Sequence, residues 1–464
     1  MSVNLEIRRI LGLEEDGGEI MEPDNTSSGL VIGGIGSGKT TCAIVPAVQA
    51  MIADRDRGLI LNDAKNGEIA SQIGDMAKKL GRKFGAIDPF NALGEDFPHK
   101  IRVNELSGLV TAYQQGDPGL PFLIKGVTQT LVPEPDNDQR NFYWREEPRL
   151  RLKFGLLTLL KRSSALCTLG GLAGIITDTH IFDKMTDIAA EEAEERPLRA
   201  VASQIREMRE RNPEHHFQHM GAAISALDLF DEGPLHEAGF CADVTHEELI
   251  ADNWIVCSVT PARFIEQIGT YSAVHFNTLL GLQLTGKYGR SDFIVDEAPS
   301  GPFHPFFRDL NTIRGTGGRI LLAGVSRAAF IKRYGEKVFA MAEENCRVKQ
   351  YLQVATPEEA ERIVKAAGEE KTVSNTVGLN SDKTEFSNTI NTGKQSRLTV
   401  DGLMNMKRSD QVIQVAGVGT FVRPKVCQNQ IAPTCFMLSD NHVERGRLEP
   451  DPKVTLPTGR EGET

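Results

Sequence analysis

The chain has 464 residues, 40% hydrophobic and 25% charged, enough to bury more than one core, so two domains are expected. With 52 Lys and Arg against 63 Asp and Glu, the net charge of −11 excludes an overall basic, DNA-gripping surface; basic residues for that purpose would have to be gathered locally. Seven cysteines, an odd number without a Cys-x-x-Cys pair, argue against a disulfide framework and fit a reducing compartment. Cys42, Cys167, Cys257 and Cys346 read as small buried apolar residues.

In chain order, the first strong element is a short buried strand, Leu30-Val31-Ile32, followed by Gly33-Gly34-Ile35-Gly36-Ser37-Gly38-Lys39-Thr40 and a helix that opens at Thr41 and runs toward Asp54. Further strands are predicted at Gly58 to Asn62, Phe84 to Ile87, Trp254 to Val259, Phe293 to Val295, Arg319 to Val325 and Val348 to Val354. Amphipathic helices are expected at Glu68 to Leu80, Phe264 to Tyr288 and Pro357 to Ala367, lengths suited to right-handed crossovers. The alternation implies an α/β fold with a mostly parallel sheet covered by helices.

From 115 to 239 the alternation stops and charged helical segments take over, so this stretch reads as an inserted all-α domain that would face a partner. It divides a nucleotide-binding domain of residues 28–114 and 240–430, preceded by a segment of residues 1–27 and followed by a tail of residues 431–464. The proline-bearing end of the tail reads as too polar to pack.

The glycine-rich stretch carries the chemistry. Its glycines let backbone N–H groups turn toward phosphate oxygens at the positive end of the following helix. Gly33, Gly34, Ile35, Gly36, Ser37, Gly38, Lys39, Thr40 and Thr41 would form the cradle, with Lys39 on the outer phosphates and the Thr40 hydroxyl on a magnesium ion. A second motif, Asp296-Glu297, ends the strand of Phe293 to Val295, where ligands of open parallel sheets bind. Asp296 would stand behind the magnesium and Glu297 beside the attacking water, making Lys39 and Glu297 catalytic and ATP with Mg2+ the cofactors.

With Asp63-Ala64-Lys65-Asn66-Gly67-Glu68, Asp88-Pro89, Asn104-Glu105-Leu106, Tyr334-Gly335 and Asn345-Cys346 in the same order, the chain resembles the TraG/TraD-type coupling ATPases of conjugation and type IV secretion over most of residues 28 to 430. The resemblance implies a RecA-like P-loop ATPase, active as a hexameric ring, that recruits a relaxosome and helps move single- or double-stranded DNA with its relaxase into a secretion channel. Its implied place is the cytoplasm, docked through partners at the inner face of the bacterial membrane. It also implies that Arg314 reaches a neighbour's nucleotide as an arginine finger.

The chain departs from that family at three points. Val325-Ser326 stands where a Gln-Ser sensor is usual, Asn66 is an extra residue in its motif, and no membrane-spanning N-terminal segment is evident. The valine keeps a second reading open, a nucleotide-binding recruitment adaptor for protein substrates with little hydrolysis. The longest apolar runs, Phe154 to Leu160 and Ala165 to Ile176, are parted by Lys161 and Arg162, so neither spans a bilayer, and the N-terminus lacks a secretory core.

Three other stretches invite a functional reading. Arg145, Arg149, Arg151 and Lys153 are candidates for a DNA- or partner-facing strip. His215 and His219 share a helical face, but without a third ligand nearby they read as a solvated helix end rather than a metal site. Thr372 to Thr399, rich in Ser, Thr and Asn, reads as a flap near the nucleotide or a long loop.

Overall fold

The computed structural model describes residues 7–134, 142–379 and 386–457. Its centre is a sheet whose strands, in chain order, are β1 (Gly29–Ile32), β2 (Arg57–Asp63), β3 (Phe84–Ile87), β4 (Ile255–Val259), β5 (Arg290–Val295), β6 (Arg319–Gly324), β7 (Val348–Tyr351), β8 (Asp410–Val415) and β9 (Gly419–Pro424). Across the sheet they run β9-β8-β7-β1-β6-β5-β2-β4-β3. Strands β1 to β7 are parallel to one another, and β8 and β9 form an antiparallel hairpin of which β8 runs antiparallel to β7. This is the mostly parallel, helix-covered α/β sheet that the alternation predicts.

Helices on both faces leave the central strands no solvent side, which is why β2 is buried at every position and carries the unbroken apolar run Leu59-Ile60-Leu61. The two-residue period of a strand still sorts the faces: Leu30 and Ile32 enter one hydrophobic core and Val31 the other. Charge is buried too. Arg9 Nε donates to Glu22 Oε2 at 2.6 Å, Arg319 bridges Glu22 and Asp292, and Arg57 Nη1 donates to Asp292 Oδ1 at 2.6 Å. The network fastens the N-terminal hairpin, Ile10–Leu13 with Glu19–Met21, to the edge of the sheet opposite the phosphate loop.

Between β3 and β4 the described residues form helices, from Ser107–Gln114 to His246–Ala251, the longest being Phe142–Arg162 and Arg196–Arg211. Several start where a Thr, Asp or Asn side chain accepts a first-turn backbone N–H, as at Thr168, Asp178, Asn212 and Thr245. None of the described helices is long and apolar enough to cross a membrane.

Two readings of the sequence change. Thr372 to Thr399 is not an open loop: Glu369–Leu379 and Phe386–Ser396 pair as a long antiparallel hairpin, and residues 380–385 lie outside the described residues. Thr372, Val373, Thr376, Val377, Thr389 and Ile390 supply enough β-branched residues to favour extended backbone over coil. The expected tail packs as well. Ile431–Ala432 pairs in parallel with Val454–Thr455, and Val454 and Leu456 are buried with Ile10 and Val426. The extended chain around Pro450 and Pro452 is paired through Asp451 N–H to Asn429 O and Lys453 N–H to Gln430 O, so its prolines shape a strand rather than prevent one. Residues 458–464 lie outside the described part.

Candidate nucleotide site

The glycine-rich loop leaves the carboxyl end of β1 between β7 and β6. Gly33 N–H donates to Gly324 O at 3.2 Å and Leu352 N–H to Ile32 O at 2.9 Å, which fixes where the loop begins. Gly36 and Gly38 have φ of 72° and 85°, the left-handed region that only glycine occupies without cost. A Cβ at Gly33 would run into Ser37 Oγ, itself buried without a hydrogen-bond partner. The loop passes into a widened first turn, Thr40–Ile44, closed by Val45 N–H to Thr40 O, and then the helix Val45–Ala53.

The acidic pair arrives from β5, one strand beyond β6. Asn62 Nδ2 donates to Asp296 O at 2.8 Å, and Glu297 N–H to Asp296 Oδ1 at 3.0 Å. Glu297 itself is left-handed at φ 49°, ψ 45°, a conformation costing a non-glycine residue about 1–3 kcal/mol, which the surroundings must hold in place. Tyr334 does part of that by donating its hydroxyl to Ala298 O and Gly301 O at 2.5 and 2.8 Å. The consequence is the contact on which the site turns: Lys39 Nζ lies 2.5 Å from Glu297 Oε1, with the two side chains 5% and 16% exposed.

Asp296 is buried, and desolvation pushes its carboxyl up to about 6 despite the pull of Lys39 and Lys65. Lys65 Nζ donates to Thr40 Oγ1 at 3.4 Å, so a second ammonium stands at the hydroxyl that Mg2+ would use. The motif that supplies Lys65 has its own construction. Asp63 Oδ2 accepts from Ile69 N–H and Ala70 N–H at 2.8 and 2.7 Å, capping the helix Glu68–Lys79, while burial raises its carboxyl to about 7. The extra residue, Asn66, is absorbed by a left-handed turn at φ 57° and bonds Thr260 O and Ala262 N–H.

These residues fit a nucleotide triphosphate with its magnesium. The loop has a concave face that glycines keep open, Thr40 and Asp296 present the oxygens a hard divalent cation prefers, and Lys39 meets Glu297 across the opening. Ile35 is 98% exposed at the apex of the loop, and Thr41 Oγ1 donates back to Gly38 O at 3.4 Å. Arg314 does not join this group. It lies in the short helix Leu310–Gly315 before β6, at the other edge of the sheet, 60% exposed and 3.8 Å from Asp24. Val325 follows directly on β6, and Ser326 caps the next helix through Ala329 N–H.

Three further expectations meet the structure here. Cys42, read as a plain apolar residue, is joined to Cys427 in a disulfide spanning 385 residues, because the chain after β9 returns to the helix that follows the loop. The arginine strip is not open to a partner. Arg149 and Arg151 are 4% and 0% exposed, bonded respectively to Glu134 and Glu146 and to Glu147, and Arg145 pairs with Glu134. His215 and His219 are not a solvated helix end: both pack their rings against Trp144, and His219 is fully buried. Sequence reasoning also missed Arg408 and Lys425, which hold the outer side of the loop; no local motif marks them.

Residues 290–408 match the family described as the TraM recognition site of TraD and TraG. The fold agrees. An unbound form of the bacterial conjugative coupling protein TrwBΔN70 superposes with a TM-score of 0.65 over 90% of this chain and 88% of that one, at 14% identity. Over residues 290–408 the chain is thus similar to TraD and TraG, and over most of its length it shares the fold of TrwB. TrwB in complex with ADP and Mg2+ gives a TM-score of 0.62 at 15% identity, covering 90% of this chain and 89% of that one. VirB4 of Thermoanaerobacter pseudethanolicus matches at 0.50 and 15% identity over 92% and 98%. At such identities the likeness to solved structures is one of fold. No curated protein sequence matches the chain significantly. The matched family segment begins at β5, so it contains the acidic pair, Arg314 and Tyr334.

Proposed function

We propose that this chain is an ATP-driven coupling protein of the TraG/TraD type that recruits a relaxosome and helps translocate DNA with its relaxase into a type IV secretion channel. The observation that carries the reading is the meeting of Lys39 and Glu297, 258 residues apart in sequence, at the carboxyl edge of one sheet. The family match over residues 290–408, named for TraM recognition, supports a relaxosome partner. TrwB structures holding ADP with Mg2+, and non-hydrolysable analogues of ATP and GTP, support the choice of ligand.

In this reading the N–H groups of the loop and Lys39 bind and orient the phosphates, and Glu297 orients the attacking water and takes its proton. Thr40 and Asp296 would hold Mg2+, which supplies charge neutralisation at the transferring phosphoryl group. Arg314, at the far edge of its own sheet, serves a neighbouring copy's nucleotide in a hexameric ring, which is why it need not approach Lys39 within one chain. Docking to membrane partners at the cytoplasmic face completes the arrangement. The test is phosphate release with and without single- and double-stranded DNA, for the parent and Lys39→Ala. Turnover that DNA stimulates and the variant loses supports a translocase.

One observation favours the second reading, an adaptor that binds nucleotide for assembly with little hydrolysis: Val325 occupies the position of the expected polar sensor. Tight nucleotide binding without measurable turnover, with or without DNA, would select it.

A further inference from the structure

In the edge hairpin β8 runs antiparallel to β7 and β9 turns back along it, so the hairpin opens toward the loop. Val412 pairs with Tyr351 and Asp410 with Pro424, so both open ends of the hairpin lie at the carboxyl edge of β1 and β7. From those ends two cations reach the loop's outer side. Arg408 Nη2 donates to Gly36 O at 3.1 Å. Lys425 Nζ donates to Ser37 O at 2.9 Å and to Arg408 O at 2.8 Å, joining the loop and both arms of the hairpin through one ammonium. Lys425 is 9% exposed, and its backbone is fixed by its N–H to Ser409 O at 2.8 Å. Burial and the neighbouring Arg408 hold its ammonium below the usual lysine range, as expected of a cation kept for its contacts rather than its solvation.

A trans peptide sets its C=O and N–H in opposite directions. Holding Ser37 O outward therefore turns the Gly38 N–H toward the concave face, where a phosphate oxygen would accept it. Gly36 and Gly38, both at positive φ, leave this stretch free to rotate unless something outside it fixes the planes.

We infer that Lys425, assisted by Arg408, is a positioning residue for the phosphate loop: from the far edge of the sheet it pins two loop carbonyls outward and so presents the loop's N–H donors to the nucleotide. The inference rests on the nucleotide-binding reading but has a readout independent of it. Lys425→Met keeps the stem and removes the charge, Lys425→Arg keeps a donor, and the exposed Arg408→Gln tests the second contact with the least risk to folding. Fluorescent-ADP titration in Mg2+ should show affinity roughly tenfold or more weaker in Lys425→Met, partial rescue in Lys425→Arg and a smaller loss in Arg408→Gln, with KM affected more than kcat. Amide hydrogen exchange without nucleotide should quicken across residues 36–39 in Lys425→Met while β1 and β6 stay protected.

Parent-like exchange in Lys425→Met, or an arginine variant no better than the methionine one, overturns the inference. If the parent itself binds no nucleotide, the functional reading fails instead, and the exchange experiment still decides the clamp: faster exchange sustains it and unchanged exchange removes it.

Discussion

Replacing Glu297 with glutamine probes the centre of the site. The carboxylate lies 2.5 Å from Lys39 Nζ, and both side chains are largely shielded. At an effective dielectric near 20, unit charges that close attract by roughly 7 kcal/mol before desolvation is counted, and the net worth of such a charge-assisted hydrogen bond is about 1.5–3 kcal/mol. Binding phosphate requires Lys39 to give up some of that interaction, so the carboxylate competes with the ligand for the same ammonium. Glutamine keeps the shape and removes both the competition and the base. Nucleotide affinity should therefore rise by roughly 10- to 100-fold while turnover falls about 100-fold or more. A fluorescent-nucleotide titration reads the first and a steady-state phosphate-release assay the second. Turnover equal to the parent's would refute Glu297 as the water-orienting group. Affinity falling together with turnover would show that the pair builds the loop rather than competing with the ligand.

Three other perturbations have expected outcomes. Glu105 is fully buried, and desolvation raises its carboxyl from 4.5 to about 7 against the opposing pull of backbone N–H groups at Glu105 and Leu169. The folded state thus holds a proton that the unfolded state releases, so this contribution to stability falls as pH rises between about 4.5 and 7 and is level above. Glu105→Gln should match the parent near pH 4 and exceed it by roughly 3 kcal/mol at pH 8, read as unfolding midpoints against pH; parallel curves would contradict the argument. Peptide mapping without reductant should recover Cys42 linked to Cys427, and Cys427→Ser should lower stability by about 2–4 kcal/mol because a closure of 385 residues is released; separate peptides only would dismiss the linkage. Arg151→Glu would place a carboxylate beside Glu147 in a site where Arg151 is 0% exposed, so the unfolding midpoint should drop by the equivalent of about 3–5 kcal/mol; a parent-like midpoint would show the arginine to be free.

How much of the site was legible depended on how local each signal is. The strand of Leu30 to Ile32, the glycines and Lys39-Thr40 are contiguous, and the acidic pair ends its own apolar strand, so both halves declare themselves in short windows. Lys65 sits in a motif that the resemblance marks, though nothing in its neighbours says that its ammonium meets Thr40. The arginines from 145 to 151 misled because interleaved charge looks the same on an open face as in a buried ion-pair cluster. Only the helices packed around Phe142–Arg162 distinguish the two.

By itself the sequence determined the α/β alternation, the phosphate loop and the identity of the acid that ends β5, since each follows from the conformational preferences of adjacent residues. Tertiary structure alone decided that Glu297 meets Lys39, that Arg314 lies at the opposite edge of the sheet, that Cys42 meets Cys427, and that Arg408 and Lys425 close on the loop from more than 370 residues away. The physical reason is strand order. Placing β6 between β1 and β5, and an antiparallel hairpin beyond β7, is a property of how the whole sheet buries its two faces, and no window of the chain contains it.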